Sequence, residues 1–443
     1  MNHAYPQQLA AHVCELWDSV EGRVADKEST SCDADELPCL PVLESLISTC
    51  YQASLLREEE RTITFRVILR PAESFLSEHG PPSGLHKLVF TETSPLTAHE
   101  LRRLSPAASF HRSLIGVQLD LEQGAQIWGI VHSGPRWLHS IYGGRGFVPP
   151  LPQALVINVT GPGQIEVCKG LETIGQLSDG KVTGSAMNVF ESQWLQDNFA
   201  SIRAERLTLH AEARKGATGW ASLDPDLTRI IDQNMLKRMI AAIRAFRHGG
   251  TLIMVPPEMA ESLVEKNLSL NLKYKFAEGE PRARFRTLIV SMMNALAQSG
   301  AQCGEGTVIG WKDYAESTDQ EIAQLDEAIF EMSHLVAALS TVDGAVVMTK
   351  RFELLGFAAE IHSDLTRVTH VARALDLEGT RKKTEPIKGV GTRHRSAFAL
   401  CNELRDILAI VISQDGGVRF VAWRDKEVVY WDHQATFAFS SRF

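Results

Sequence analysis

Between residues 224 and 256 the chain switches from a helical hydrophobic period to a continuous apolar run within a few residues, and this is read as the start of a domain. Leu227, Ile230, Ile231, Met235, Met239, Ile240 and Ile243 recur at three- and four-residue steps and form a single apolar face. Asp224 or Asp226 can cap that helix, and His248-Gly249-Gly250 ends it. The following run, TLIMVP at 251–256, has the length and β-branched content of a buried strand, although periodicity alone does not separate it from a segment of core helix.

Further helices are expected at about 282–298 and 317–340. The second is capped near Ser317 or Thr318 and carries Ile322, Leu325, Ile329, Met332, Val336 and Leu339 on one face. GAVVMT (344–349) and FELLGFAAEI (352–361) read as a hairpin about Lys350-Arg351. DILAIVIS is another buried strand, turning at Gln414-Asp415-Gly416-Gly417 into VRFVAWR and then VVYW. Upstream the texture differs. Helical periods at about 7–19 and 40–56 flank the acidic linker DKESTSCDADELP. From about 61 to 190, short apolar runs such as TITFRVIL, LIGVQLDL, QIWGIVHSG and ALVINVTGPG are cut by turn residues, giving a mostly β region. A helix around 190–206 follows. A chain of 443 residues exceeds one hydrophobic core, so the change of texture is read as a boundary between a region 1–220 and a domain 221–435.

The formal charge of −9 gives no global reason to expect a nucleic acid or an anionic membrane as partner, so any phosphate site must be local. The seven cysteines are scattered and lack a CxxC pair, which points to reduced thiols rather than a disulfide framework or a zinc site. The N-terminus lacks a basic segment followed by an apolar stretch, and no run approaches the length of a membrane span, so the expected location is the cytoplasm.

Three short segments of the last hundred residues carry the chemistry. Gly391-Thr392-Arg393-His394-Arg395-Ser396-Ala397 runs from a turn into the helical pattern AFALCNELRDI. It sets free backbone N–H groups, a helix N-terminus and up to three cationic side chains at one point. That suits a phosphate. The competing reading is a solvated first turn, but cations at a helix start oppose the macrodipole, and an anion among them explains their placement better. Gly389-Val390-Gly391 is only a GxG and shapes the turn. Asp343-Gly344-Ala345 opens an apolar strand; Asp343 is either a turn residue satisfying local donors or a ligand for a hard divalent ion near a triphosphate. Ser413-Gln414-Asp415-Gly416 follows a strand, and Asp415 is likewise either a β-turn residue or a second ligand.

In this order the three segments resemble the DisA-type diadenylate cyclase family, whose hallmarks are DGA and a GTRHR(A/S/T)A-like motif. The likeness extends to RHGGTLIMVP at 247–256 and to the strand ending in Ser413-Gln414, and covers about residues 220–435. It implies an α/β (α+β) fold, with a mixed central sheet flanked by helices. It also implies that two ATP are condensed into cyclic di-AMP by a homodimer using Mg2+ or Mn2+. Carried over by position, Asp343 binds the metal and helps activate the ribose 3′-hydroxyl, and Gly344 with Ala345 lies against the nucleotide. Gly391, Thr392, Arg393, His394, Arg395 and Ser396 hold the triphosphate, Ser413 with Gln414 lies near the adenine, and Asp415 is a second metal ligand. Some members carry His before DGA and Glu-Glu after the Ser, where this chain has Val342, Gln414 and Asp415. The first 220 residues resemble the long accessory region, read as a sensor of an unidentified ligand or protein, that some members carry. The alternative function is an inactive module of the same fold that senses ATP or cyclic di-AMP.

Overall fold

The computed structural model describes residues 3–18, 36–75, 85–132, 151–178, 180–184, 187–216, 219–246, 248–265, 267–300, 307–364, 367–414 and 416–433. These fall into two compact units, one holding the described residues up to 184 and the other those from 187 to 433. The described residues from 187 to 216, read from sequence as the end of the first domain, belong to the second unit. None of the described helices is long and apolar enough to cross a membrane.

The first unit is built on an eight-stranded sheet in the spatial order Lys181–Gly184, Glu172–Ser178, Gln164–Lys169, Leu155–Gly161, Phe65–Leu69, Ser113–Asp120, Gly124–His132, His86–Pro95. All neighbours are antiparallel except Phe65–Leu69 with Ser113–Asp120. Helices Pro6–Leu16 and Leu40–Ser54 lay Leu9, Val13, Leu43, Leu46 and Ile47 on one face of this sheet, against Phe65, Val67, Ile157, Val159, Ile165 and Val167. Because strand side chains alternate, Arg66, Asn158, Glu166 and Cys168 line the opposite face, all of them buried. There Asn158 Nδ2 and Thr173 Oγ1 donate to the Glu166 carboxylate at 3.0 and 2.6 Å. A short helix, Ala98–Leu104, capped by Thr97 and hidden in TAHELRRL, interrupts the strands.

The second unit holds a nine-stranded mixed sheet, in the order Leu270–Lys275, Leu354–Ile361, Ala345–Thr349, Gly250–Val255, Leu408–Ile412, Val418–Arg424, Glu427–His433, His370–Ala374, Lys382–Pro386. The central strand Gly250–Val255 runs parallel to Ala345–Thr349 and antiparallel to Leu408–Ile412. Both faces are covered, which is why these three strands read as unbroken apolar runs. Leu252, Met254, Val346, Met348, Ile410 and Ile412 face helices Pro225–Ala245, Glu280–Gly300 and Gln320–Leu339. The intervening Ile253, Val255, Ala345, Val347, Ala409 and Val411 pack with Phe398 and Leu400 of helix Thr392–Glu403. The expected sandwich of helices, mixed sheet and helix is therefore present.

Three local differences have physical reasons. Asp319, not Ser317 or Thr318, caps Gln320–Leu339, its side chain accepting from Glu321 N and Ile322 N at 2.8 and 3.1 Å. The helix expected at 190–206 is a short turn Val189–Glu191 and two helices, Gln193–Asn198 and Ala200–Lys215, whose Val189, Phe190, Trp194, Leu195 and Phe199 join the core of the second unit. The hairpin His370–Ala374/Lys382–Pro386 widens the sheet beside Glu427–His433.

Candidate active site

Strand register brings the motifs together. Leu252 lies opposite Val346 in the parallel pair, and Gly250 lies opposite Ile412 in the antiparallel one. The residues ahead of Gly250, those ahead of Ala345 and those after Ile412 therefore emerge at the same end of three adjacent strands. His248-Gly249, Asp343-Gly344 and Ser413 meet there although the chain keeps them far apart.

Side chains lock the meeting point. Arg393 Nη1 donates to the His248 carbonyl oxygen at 2.9 Å, fastening the start of helix Thr392–Glu403 to the His-Gly-Gly turn. Gly249 has φ +68°, and a Cβ there would lie 2.7 Å from Ile412 O, 2.8 Å from Arg393 Nη1 and 3.0 Å from Ser413 C. Only glycine lets all three come so close. Next to it, a Cβ on Gly250 would sit 3.0 Å from Ser340, three residues ahead of Asp343.

Asp343 precedes its strand, exposed, and among the described residues it has no hydrogen-bond or ion-pair partner. It is thus not the turn carboxylate that satisfies local donors. Gly344 has φ +114°, and a Cβ on it would fall 2.6 Å from Ala358 C in the adjacent strand. Its glycine is demanded by its own sheet. Ala345 is buried in the core beneath helix Thr392–Glu403 and presents no side chain to the open end.

Gly391 is the N-cap of that helix and supplies no side-chain cap, so no capping side chain covers the start of the helix. A Cβ on Gly391 would meet nothing within 4 Å, which leaves the approach to the first-turn N–H groups open. Thr392 is exposed, and Arg393, His394, Arg395 and Ser396 are half-buried. The Nε of Arg395 is buried with no hydrogen-bond partner. After the third strand, Ser413 N and Oγ donate to Gly417 O at 2.9 and 3.1 Å, and Gly416 N returns to Ser413 O at 3.1 Å. Gln414 is exposed, and Asp415 lies outside the described residues.

Among the described residues no group of three or more His, Cys, Asp or Glu is arranged to hold a metal ion. The free carboxylate of Asp343 fits a hard divalent cation that draws its other ligands from phosphate oxygens and water, the usual arrangement for magnesium with a nucleotide. His248 and Gly249 are the site residues that sequence reasoning missed. Their signal is a Gly-Gly after a long helix, which in sequence marks only the end of that helix.

Residues 32–132 match the family described as "Probable sensor domain DACNV". A sensor module in the first unit is accordingly supported. No curated protein and no solved structure matches the chain.

Proposed function

We propose that the second unit is a diadenylate cyclase, which condenses two ATP into cyclic di-AMP and two pyrophosphates under control of the sensor module. The observation that carries this reading is the convergence at one sheet end of a free carboxylate, Asp343, with the uncapped, arginine-flanked N-terminus of helix Thr392–Glu403. The sensor match adds to it, because the matched family is the N-terminal sensor region of proteins with such cyclase domains.

On this reading the triphosphate lies on the first-turn N–H groups, with Thr392 Oγ1 and the guanidinium groups of Arg393 and Arg395 around it. Arg393 spends one nitrogen on His248 O, which fixes the orientation of the rest of its fork. Asp343 would hold Mg2+ or Mn2+, and that ion, when bound, neutralises phosphate charge and acidifies the ribose 3′-hydroxyl. Ser413 and Gln414 border the adenine. Each chain has one DGA and one GTRHR, whereas the product needs two 3′-oxygen to α-phosphorus bonds. Two copies therefore meet face to face, each 3′-hydroxyl attacking the other nucleotide's α-phosphorus as pyrophosphate leaves, a reaction accelerated by in-line positioning and charge neutralisation. The same reading has the protein working in the cytoplasm, where ATP is supplied.

The test is to incubate the purified protein with ATP and Mn2+ and separate the products chromatographically. Cyclic di-AMP with a specific activity that rises with protein concentration is expected. Tight ATP binding with no product would instead make the unit a nucleotide-sensing module.

A further inference from the structure

The last turn of helix Pro225–Ala245 reaches the loop that follows Leu408–Ile412. Arg244 Nε donates to the Gly416 carbonyl oxygen at 2.9 Å. Gly416 has φ +89°, and a Cβ there would stand 3.4 Å from Arg244 Nη2, so the guanidinium lies along the turn that Ser413 and Gly417 close. Four residues on, His248 O receives Arg393 Nη1. Arg244 and His248 thus seat two loops: the arginine reaches out to the loop after Leu408–Ile412, and the carbonyl receives the arginine of the GTRHR segment.

We infer that Arg244 is a positioning residue that, through Gly416, sets Ser413 at the height needed to border the nucleotide base. This rests on the nucleotide reading above. A turn joined by its own short hydrogen bonds is closed but not aimed; a guanidinium rooted in a long buried helix gives it a fixed direction, and a planar donor does so better than a flexible ammonium. Arg244 itself stays off the phosphates, which belong to the helix N-terminus of Thr392.

The full-length protein carrying Arg244→Ala or Arg244→Lys tests this, with steady-state turnover of ATP, binding of ATP and of AMP, and melting curves. Loss of the aim should raise the KM for ATP about tenfold while kcat stays within about threefold, as expected when a charge-assisted hydrogen bond supports binding rather than the chemical step. AMP affinity should fall by the same factor as ATP affinity, because the base end is affected. Arg244→Lys, which keeps the charge and a single donor, should fall between and serves if Arg244→Ala folds poorly. A wild-type KM in both variants overturns the inference, and so does a loss of ATP affinity with AMP affinity intact, which would make Arg244 a phosphate contact. A wild-type protein that makes no cyclic di-AMP overturns the underlying reading instead, and is distinguished by needing no variant.

Discussion

Arg393 Nη1 and the His248 carbonyl oxygen stand 2.9 Å apart across 145 positions of sequence. This contact makes one site of two motifs, and it gives Arg393 a structural duty besides the phosphate. Arg393→Ala with Arg395→Ala should weaken ATP binding measured by calorimetry, and Arg393→Ala alone should also cost about 1–2 kcal/mol of stability, the usual worth of a partly buried charged hydrogen bond. Unchanged affinity in the double variant would show the arginines to be a solvated face.

Asp343→Asn should abolish cyclic di-AMP formation while leaving the melting temperature unchanged, because the carboxylate is exposed and has no partner among the described residues to lose. Wild-type turnover in this variant would remove Asp343 from the mechanism.

Three glycines should separate folding from binding. Gly249→Ala and Gly344→Ala place a Cβ within 2.7 and 2.6 Å of backbone atoms at φ +68° and +114°, and each should lower stability by about 1–3 kcal/mol or more. At Gly391 the added methyl meets open space. Gly391→Ala should therefore melt like wild type yet bind ATP less well; equal affinity would mean that no ligand passes over that position.

Stability should fall on acidification through His433. Burial first, then Lys237 and Arg244, push its imidazole down to about 3 from an ordinary 6.5. Its Nδ1 accepts from Val189 N at 3.3 Å between the rings of Phe190 and Phe420, so the folded state holds it neutral. The unfolded chain binds the extra proton, so the contribution is fully present above pH 6.5 and is lost progressively as pH falls toward 3. The melting temperature should drop between pH 7 and 5, with a shallower slope in His433→Gln. Parallel slopes would assign the acid loss to other groups.

A fragment of residues 187–443 should melt cooperatively, whereas one starting at 221 should not. A domain beginning at 221, as expected from sequence, leaves out Phe190, Trp194, Leu195 and Phe199, which are buried in the core of the second unit. Each such side chain contributes about 1.5–3 kcal/mol. A cooperative melt of the shorter fragment would show those contacts to be dispensable.

What the sequence made legible was local. Runs such as TLIMVP and DILAIVIS announced strands buried on both faces, and the helical stripe from Leu227 to Ile243 announced its helix. Leu270–Lys275 and Lys382–Pro386 stayed hidden because edge strands are largely exposed and alternate with charge. The φ of Gly344 and the nearness of Ala358 are set by pairing with a strand ten residues away, which no motif encodes. The Gly249 cradle depends on strand order, and order is written in no single segment. The polar row of Arg66, Asn158 and Glu166 was invisible for the same reason: each sits alone in an apolar run and acquires neighbours only across the sheet.

Just after the chain enters the second unit, the backbone N–H groups of Gln193 and Trp194 are held by the Glu378 carboxylate at 2.8 and 3.3 Å, while the Trp194 ring stacks on Trp431 at 4.2 Å. A few residues later Asn198 Oδ1 takes Lys350 Nζ at 2.8 Å and Glu205 takes Arg351 Nε at 2.7 Å, in the turn that ends the strand begun at Ala345. There is no slack in such an entry. A tug on residue 187 is a tug on a bolted strut, borne by Trp431 on one side and, through Lys350, by the far end of the strand whose near end carries Asp343.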